Sequence, residues 1–413
     1  MKNLKTLKSW FTGLVKKSSF HTEWIPLSKS SSWALKDGKI VHKSGRFFKI
    51  VGLAGRPFIN QHEIGTLGFL IRETNKGKEI LIQAKIEPGN VNAVQLAPTC
   101  QATKSNLLRV HGGKAPPFSK IFAGKELKII SSTLHSEQGS RFLGKRNKNI
   151  LGIFSKPLKL PNTHRFIPVD AFLDLLSEDY LVNTDARSVL VTSPWNKLVD
   201  RIPFSRFKTN FSEELFLSYK QPVKTFKLKQ QKEKTFKKVP LEELKDWRID
   251  DFGIEPIQKK PFRVRYLKVT AKNREVPKWD QPIIDSYGNG QVDLICGRIN
   301  GILHFHFKSI AEPGLYNHIE LSPTVCVEPG ENTETKDLVK IYKGKVIKKV
   351  LQSDEGGRFY QDTTCYRIID IGKADLSLNG YWFNLSQIQS LLLKDGLFTN
   401  ESRSALSLLL FWL

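Results

Sequence analysis

With 413 residues, of which 40% are hydrophobic, 25% charged and 10% aromatic, the chain has apolar material for two or three packed domains and falls outside the disordered and collagen-like classes. Only four cysteines occur, none at Cys-x-x-Cys spacing, which argues against a disulfide framework or a structural zinc site. The formal net charge of +25 leaves two readings open, surface lysine in solvent or a polyanionic partner, either nucleic acid or a phosphorylated small molecule.

Residues 1–19 form a basic extension in which Leu4, Leu7, Trp10, Phe11, Leu14 and Val15 recur at helical spacing. That spacing predicts an amphipathic helix packed on the body or on a partner, not a targeting segment. From Ile80 to Glu87 apolar and polar residues alternate, predicting a strand with Gln83, Lys85 and Glu87 on one face. Phe172, Leu175 and Leu176 predict a helix near the end of the first half, and Ile388, Leu391 and Leu392 predict another near the end of the second. Between the halves runs a lysine-rich linker, residues 201–233. The apolar run Leu406 to Leu413 is far short of the ~20 residues that cross a bilayer and is read as a terminal core strand.

Self-similarity divides the chain into two collinear copies, 20–200 and 234–413. Trp-Ile-Pro-Leu at 24–27, followed by Trp33, is answered by Lys-Val-Pro-Leu at 238–241, followed by Trp247. Glu-Pro-Gly at 87–89 and Pro-Thr at 98–99 recur at 312–314 and 323–324. Ser-Glu-Gln-Gly-Ser-Arg-Phe at 136–142 recurs as Ser-Asp-Glu-Gly-Gly-Arg-Phe at 353–359, and Asn-Thr-Asp-Ala-Arg-Ser at 183–188 as Thr-Asn-Glu-Ser-Arg-Ser at 399–404. Each copy is expected to be an α+β unit with a mixed or antiparallel sheet and flanking helices.

The sequence has no Gly-x-Ser-x-Gly, no phosphate-binding Gly-rich Lys-Ser/Thr loop, no Gly-x-Gly-x-x-Gly and no His-Glu-x-x-His. Serine hydrolases, P-loop enzymes, Rossmann dehydrogenases and common zinc peptidases are thereby set aside. His304 and His306 share a strand face, but spacing places no third metal ligand beside them.

The polar run from Gln83 to Asn106, with Gln-Ala-Lys-Ile-Glu-Pro-Gly at its start, resembles the signature of the NDP-hexose 2,3-dehydratases of deoxysugar biosynthesis. The resemblance extends to 136–142, to Lys-Arg-Asn at 145–147, to Asp-Ala-Arg at 185–187 and to Arg-Glu-Val-Pro-Lys-Trp-Asp-Gln-Pro at 274–282. It implies a tandem pair of Nudix-like domains, a homodimer, and a dTDP-4-keto-6-deoxyhexose substrate, while the sparse, unpaired cysteine spacing reads as cytoplasmic. It also implies a downstream NADPH-dependent 3-ketoreductase acting on the unstable product. Since the clustered glutamates of a Nudix metal box are missing, no metal or other cofactor is expected. Nucleic acid and membrane are not expected partners. The alternatives are a non-catalytic nucleotide-sugar-binding protein and a basic nucleic-acid-binding protein.

Elimination of water across sugar carbons 2 and 3 needs a base, an acid and donors for an enolate oxygen. Glu87 is the leading acid/base candidate and Lys85 its tuning neighbour; His111 and Glu137 are further candidates. Gln83, Asn90, Thr99, Gln101, Thr103 and Asn106 offer polar contacts to substrate, or else satisfy backbone groups. Arg141, Arg187, Arg358 and Arg403 are candidate diphosphate ligands, with structural ion pairs as the alternative. Trp279 and Gln281 complete the expected substrate contacts, with Trp24, Trp33 and Trp247 as other stacking rings or core residues.

The copies differ at the polar positions, where Gln83, Lys85 and Asn90 face Lys308, Ile310 and Leu315, and Gln101 is matched with Val327. Chemistry is therefore expected in the first copy, with a structural or nucleotide-binding role for the second. Arg56 stands where the second copy has Gln281, so the first copy lacks the Trp-Asp-Gln-Pro pattern.

Overall fold

The computed structural model describes residues 2–17, 19–110, 112–200, 236–258, 261–271, 275–330 and 337–413. The linker at 201–233, His111 and Arg274 lie outside the described residues.

Two seven-stranded mixed sheets dominate, and they share one plan. In the first copy Gly65–Thr74 forms a hairpin with Gly77–Ile86 and runs parallel to Arg146–Ile153, which pairs with Lys128–Ser136. His164–Pro168 and the short strands Val94–Ala97 and Cys100–Ala102 complete it. In the second copy Gly290–Ile299, Ile302–Ala311, Thr363–Lys373, Lys345–Ser353, Tyr381–Asn384, Ile319–Pro323 and Val325–Val327 take the corresponding places. Thr99 explains why Pro-Thr recurs: its hydroxyl accepts from Leu70 N at 3.0 Å and donates to the Leu81 carbonyl, while Thr324 accepts from Ile295 N and donates to the His306 carbonyl.

The two main sheets share a single core. Phe69, Phe172 and Leu190 from one copy pack with Phe305, Phe307 and Leu406 from the other, each burial contributing about 1.5–3 kcal/mol. Helices Thr184–Val191 and Asn400–Ser407 meet at the centre, each started by a side-chain cap, Asn183 or Thr399. The amphipathic helix, Lys2–Lys17, lays Trp10, Phe11, Leu14 and Val15 against Ala84, Ile86 and Val94, backing the strand that carries Lys85.

The smaller sheets bind the copies by exchange. Phe20–Trp24, at the start of the first copy, pairs with Phe262–Ala271 of the second, and Lys238–Val239, at the start of the second, pairs with Lys49–Leu53 of the first. A second exchange explains Glu-Pro-Gly. Gly89 N donates to Gly356 O at 2.7 Å and Gly314 N donates to Gly139 O at 2.8 Å, so each turn is gripped by the other copy's Ser-x-x-Gly turn. A Cβ on Gly89 would stand 1.5 Å from Phe359 O, and one on Gly314 1.7 Å from Phe142 O.

Two expectations are corrected. The apolar C-terminus is helical, with Asn400–Ser407 running into a 3-10 turn Leu408–Trp412. Leu408, Leu409 and Leu410 are all fully buried, and an apolar run with no polar face carries no period to separate helix from strand. The register also places Leu67 opposite Gln101 and Val292 opposite Cys326, so Gln101 corresponds to Cys326 and not to Val327.

Gly89→Ala is expected to cost about 3 kcal/mol or more by overpacking, read by urea unfolding, whereas Gly13→Ala on the N-terminal helix, with open space at its Cβ, stays within about 1 kcal/mol of the parent. Ser136 Oγ donates to Glu320 Oε1 at 2.5 Å across the two copies, and burial raises the Glu320 carboxyl to about 7. A carboxyl whose pKa rises on folding holds its proton in the folded state between its ordinary 4.5 and about 7, so stability falls as pH rises through that window. Glu320→Gln is expected to remove on the order of 3 kcal/mol of that fall, measured as unfolding free energy at pH 5 against pH 8.

Candidate active site

A cavity of about 450 Å³ opens where the copies meet, and both build its wall. Lys85, Glu87, Gln101, Thr103, Asn106, Lys145, Asn147 and Asp185 come from the first copy, and Trp279, Gln281, Glu355, Gly357 and Arg358 from the second.

Lys85 is the last residue but one of strand Gly77–Ile86, whose final four residues pair with Val94–Ala97, and Glu87 follows just beyond that strand. Their side chains meet as expected for one face: Lys85 Nζ stands 3.2 Å from Glu87 Oε1 and donates to Gln101 O at 3.2 Å. Gln101 Nε2 donates to Glu87 Oε1 at 3.1 Å while its Oε1 accepts from Asn183 Nδ2 at 2.9 Å. The amide is thereby fixed in orientation by the same asparagine that caps helix Thr184–Val191. One oxygen of Glu87 is thus held by a cation and an amide; the other, Oε2, is buried with no hydrogen-bond partner among the described residues.

Further carboxyls gather around this pair. Asp185, in the first turn of that helix, is pushed well up by burial and by Glu355, Glu137 and Glu87. Glu355 is raised by burial, opposed by Arg358, with Glu87 adding to the rise. Glu137 lies behind the wall; the amide of Asn147 donates to one of its oxygens and Asn400 Nδ2 to the other at 3.0 Å, and burial followed by Glu355 pushes it up to about 7. Lys145 donates to Glu63 O at 2.7 Å and is lowered by burial against the pull of Glu137 and Glu355. Glu63 also accepts from Ser105 N and Oγ, fixing the short helix that Thr103 caps.

At the mouth, Trp33, Phe47, Phe48 and Trp279 supply aromatic faces. Arg358 lies 4.1 Å over the Phe48 ring and donates to Gly357 O at 2.7 Å and to Gln61 Oε1 at 3.2 Å, while its buried Nε has no partner among the described residues. Gln281 accepts from Trp279 Nε1 at 2.9 Å and donates to Gly357 O at 2.7 Å.

Other expected residues stand elsewhere. Gln83, Asn90 and Thr99 do not line the cavity; Asn90 closes its own turn by donating to Ala93 O at 3.2 Å. Arg187 donates to the carbonyls of Val182 and Leu176 and to Ser407, and Arg403 to those of Phe398 and Ser136 and to Ser188. Both sit in the core between the copies. His304 and His306 are strand residues of the second copy, and among the described residues no group of three His, Cys, Asp or Glu is arranged to hold a metal ion.

Arg141 occupies the position of Arg358 in a counterpart pocket of only about 20 Å³, lying 4.1 Å over Phe262 and 2.5 Å from Glu328. Glu328 corresponds to Thr103, Ile310 to Lys85, Asp362 to Lys145 and Gln138 to Glu355. The cations that balance the open cavity are replaced, and an ion pair fills the remaining space. Comparing the recurring Ser-x-x-Gly turns position by position, Gln138 against Glu355, is the signal that would have drawn Glu355 from the sequence. Lys145 and Asn147 sit two residues apart in the Lys-Arg-Asn run, a spacing that turns both to the site while Arg146 between them stacks on Tyr316.

The family model described as NDP-hexose 2,3-dehydratase matches residues 4–192 and 224–409. A protein of Saccharopolyspora spinosa named dTDP-4-dehydro-6-deoxy-alpha-D-glucopyranose 2,3-dehydratase is 30% identical over 96% of this chain and 89% of its own length. Proteins with the same name from Amycolatopsis orientalis and Streptomyces violaceoruber are 29% and 32% identical over 97% and 88% of this chain, and 89% and 86% of their own lengths. Because that family description covers both copies, and the copies close on one polar cavity, the chain belongs to the NDP-hexose 2,3-dehydratase family.

Proposed function

We propose that this dehydratase removes water from dTDP-4-keto-6-deoxy-D-glucose, with Glu87 taking the proton from carbon 3. The observation that carries the reading is the unequal pair of oxygens on Glu87: Oε1 is engaged by Lys85 and Gln101, and Oε2 is desolvated and unpartnered beside the cavity. A desolvated carboxylate lone pair is a stronger base than a hydrated one.

The ketone at carbon 4 acidifies the carbon 3 hydrogen. The C–H electron pair moves to the carbon 4 oxygen as an enolate, which the ammonium groups of Lys85 and Lys145 stabilise. The pair then returns to form the carbon 2–carbon 3 double bond as the carbon 2 hydroxyl departs as water. The resulting enol tautomerises to the 3,4-diketo-2,6-dideoxy sugar. Oxidation state is conserved, so the reaction balances without a redox cofactor. Arg358, whose Nε has no hydrogen-bond partner among the described residues, binds the diphosphate, and Trp33, Phe48 and Trp279 face the nucleotide and sugar.

Each copy is read as a Nudix-like unit, 20–200 and 234–413, working in the cytoplasm as part of a homodimer. An NADPH-dependent 3-ketoreductase would consume the reactive diketone. What supports this partner is the chemistry of the product, which does not persist in water.

Incubation with dTDP-4-keto-6-deoxyglucose, followed by mass spectrometry with a coupled ketoreductase and NADPH, tests the reading. The trapped product is expected to lack one oxygen relative to the substrate, one water lost and two hydrogens gained from NADPH and solvent; binding of the sugar nucleotide with unchanged mass would identify a non-catalytic binding protein instead. Glu87→Gln is expected to lower kcat by about 10²–10⁴-fold, and Arg358→Ala to raise KM by at least about tenfold with a smaller effect on kcat.

A further inference from the structure

We infer that Glu355, carried into the cavity by the second copy, is the acid that protonates the departing carbon 2 hydroxyl. This rests on the dehydratase reading and names a group that reading leaves open.

The geometry brings Glu355 to the same point of the wall as Glu87. A Cβ on Gly357 would stand 3.2 Å from Glu355 Oε1 and 3.5 Å from Glu87 Oε1, so both carboxyl groups border the same point of the wall. The turn carrying Glu355 is fixed from both sides: Gly89 N donates to Gly356 O at 2.7 Å, and Gln281 Nε2 donates to Gly357 O at 2.7 Å. Arg358 N and Phe359 N both donate to Glu355 O, at 2.9 and 3.0 Å, closing the turn.

The two carboxyls are electrostatically unequal. Glu87 has Lys85 in contact at 3.2 Å. Glu355 has no such contact with a lysine, arginine or histidine among the described residues. Burial, the largest influence, favours its protonated form; Arg358 opposes this, Glu87 adds to it, and the more distant Lys145 and Lys85 oppose it. A base and an acid side by side, one paired with a cation and one without, is the division that elimination requires.

The counterpart pocket supplies the contrast. There Gln138 replaces Glu355 and Ile310 replaces Lys85, so neither the proton donor nor the cation that sets up the base is present. Asp185 also lines the cavity, but it lies within the first turn of helix Thr184–Val191, on the side of the Glu87–Gln101–Asn183 chain. Glu355 enters from the opposite copy.

In the elimination, the C3–H bond breaks to Glu87 and the electron pair is held on the carbon 4 oxygen. The C2–O bond then breaks as the Glu355 O–H proton passes to the leaving oxygen, giving water, the carbon 2–carbon 3 double bond and a Glu355 carboxylate. Solvent reprotonates Glu355 and receives the proton from Glu87, so both groups are restored.

Glu355→Gln separates the two halves of the reaction. In D2O the variant is expected to lose water formation by at least about 100-fold while exchanging the carbon 3 hydrogen for deuterium within about tenfold of the parent, read as a one-mass-unit gain in recovered substrate. Glu355→Asp is expected to recover water formation above the Gln variant. dTDP affinity of both variants, measured by calorimetry, should stay within a few-fold of the parent. Parallel loss of exchange and elimination in both variants, or elimination by Glu355→Gln at the parent rate, would overturn the assignment. Absence of water loss from the parent enzyme would instead sink the dehydratase reading itself.

Discussion

The grip of each Glu-Pro-Gly turn by the other copy's Ser-x-x-Gly turn is the contact on which the rest depends. Gly89 donates to Gly356 O and accepts from Gln361 N, both at 2.7 Å, and Gly314 holds Gly139 and Gly144 in the same manner. Backbone atoms approach so closely that neither glycine has room for a Cβ. The consequence is chemical as well as architectural, because the residues flanking these turns are Glu87 on one side and Glu355 and Arg358 on the other. A single isolated copy would carry only half of such a wall.

Two exchanges reinforce the grip, the swapped strands Phe20–Trp24 and Lys238–Val239 and the shared core around helices Thr184–Val191 and Asn400–Ser407. Buried polar groups concentrate along that seam. Arg187 and Arg403 spend their donors on carbonyls and serines, which offsets the cost of burying a guanidinium, and burial lowers both pKa values, that of Arg187 to about 9. Duplication built two equivalent pockets at the seam, and substitution made them unequal. In one, Lys85, Lys145 and Thr103 keep space and positive charge; in the other, Ile310, Asp362 and Glu328 remove both.

Much of this was legible in sequence because it is local or repeated. The alternation around Ile80 to Ile86 gave the strand, and the collinear motifs gave two copies with matching sheets. The Lys85–Glu87 contact follows from two-residue spacing on a strand face. What sequence could not carry was the crossing of turns between copies. Period and spacing say nothing about which copy a turn packs against, so they neither single out Glu355 nor separate Arg358 from Arg141, Arg187 and Arg403. Only Arg358 of these four reaches the open cavity. The helical C-terminus was likewise hidden, since Leu408, Leu409 and Leu410 are buried on every side.

The account makes the seam between the copies one composite active site, with the first copy's Glu87 and the second copy's Arg358 on the same substrate. A crystal structure with a non-reactive dTDP-sugar analogue tests this most directly. The account predicts the diphosphate against Arg358 and the sugar between Glu87 and Glu355. An analogue bound in the Arg141 pocket alone, or held entirely by residues of one copy, would contradict it.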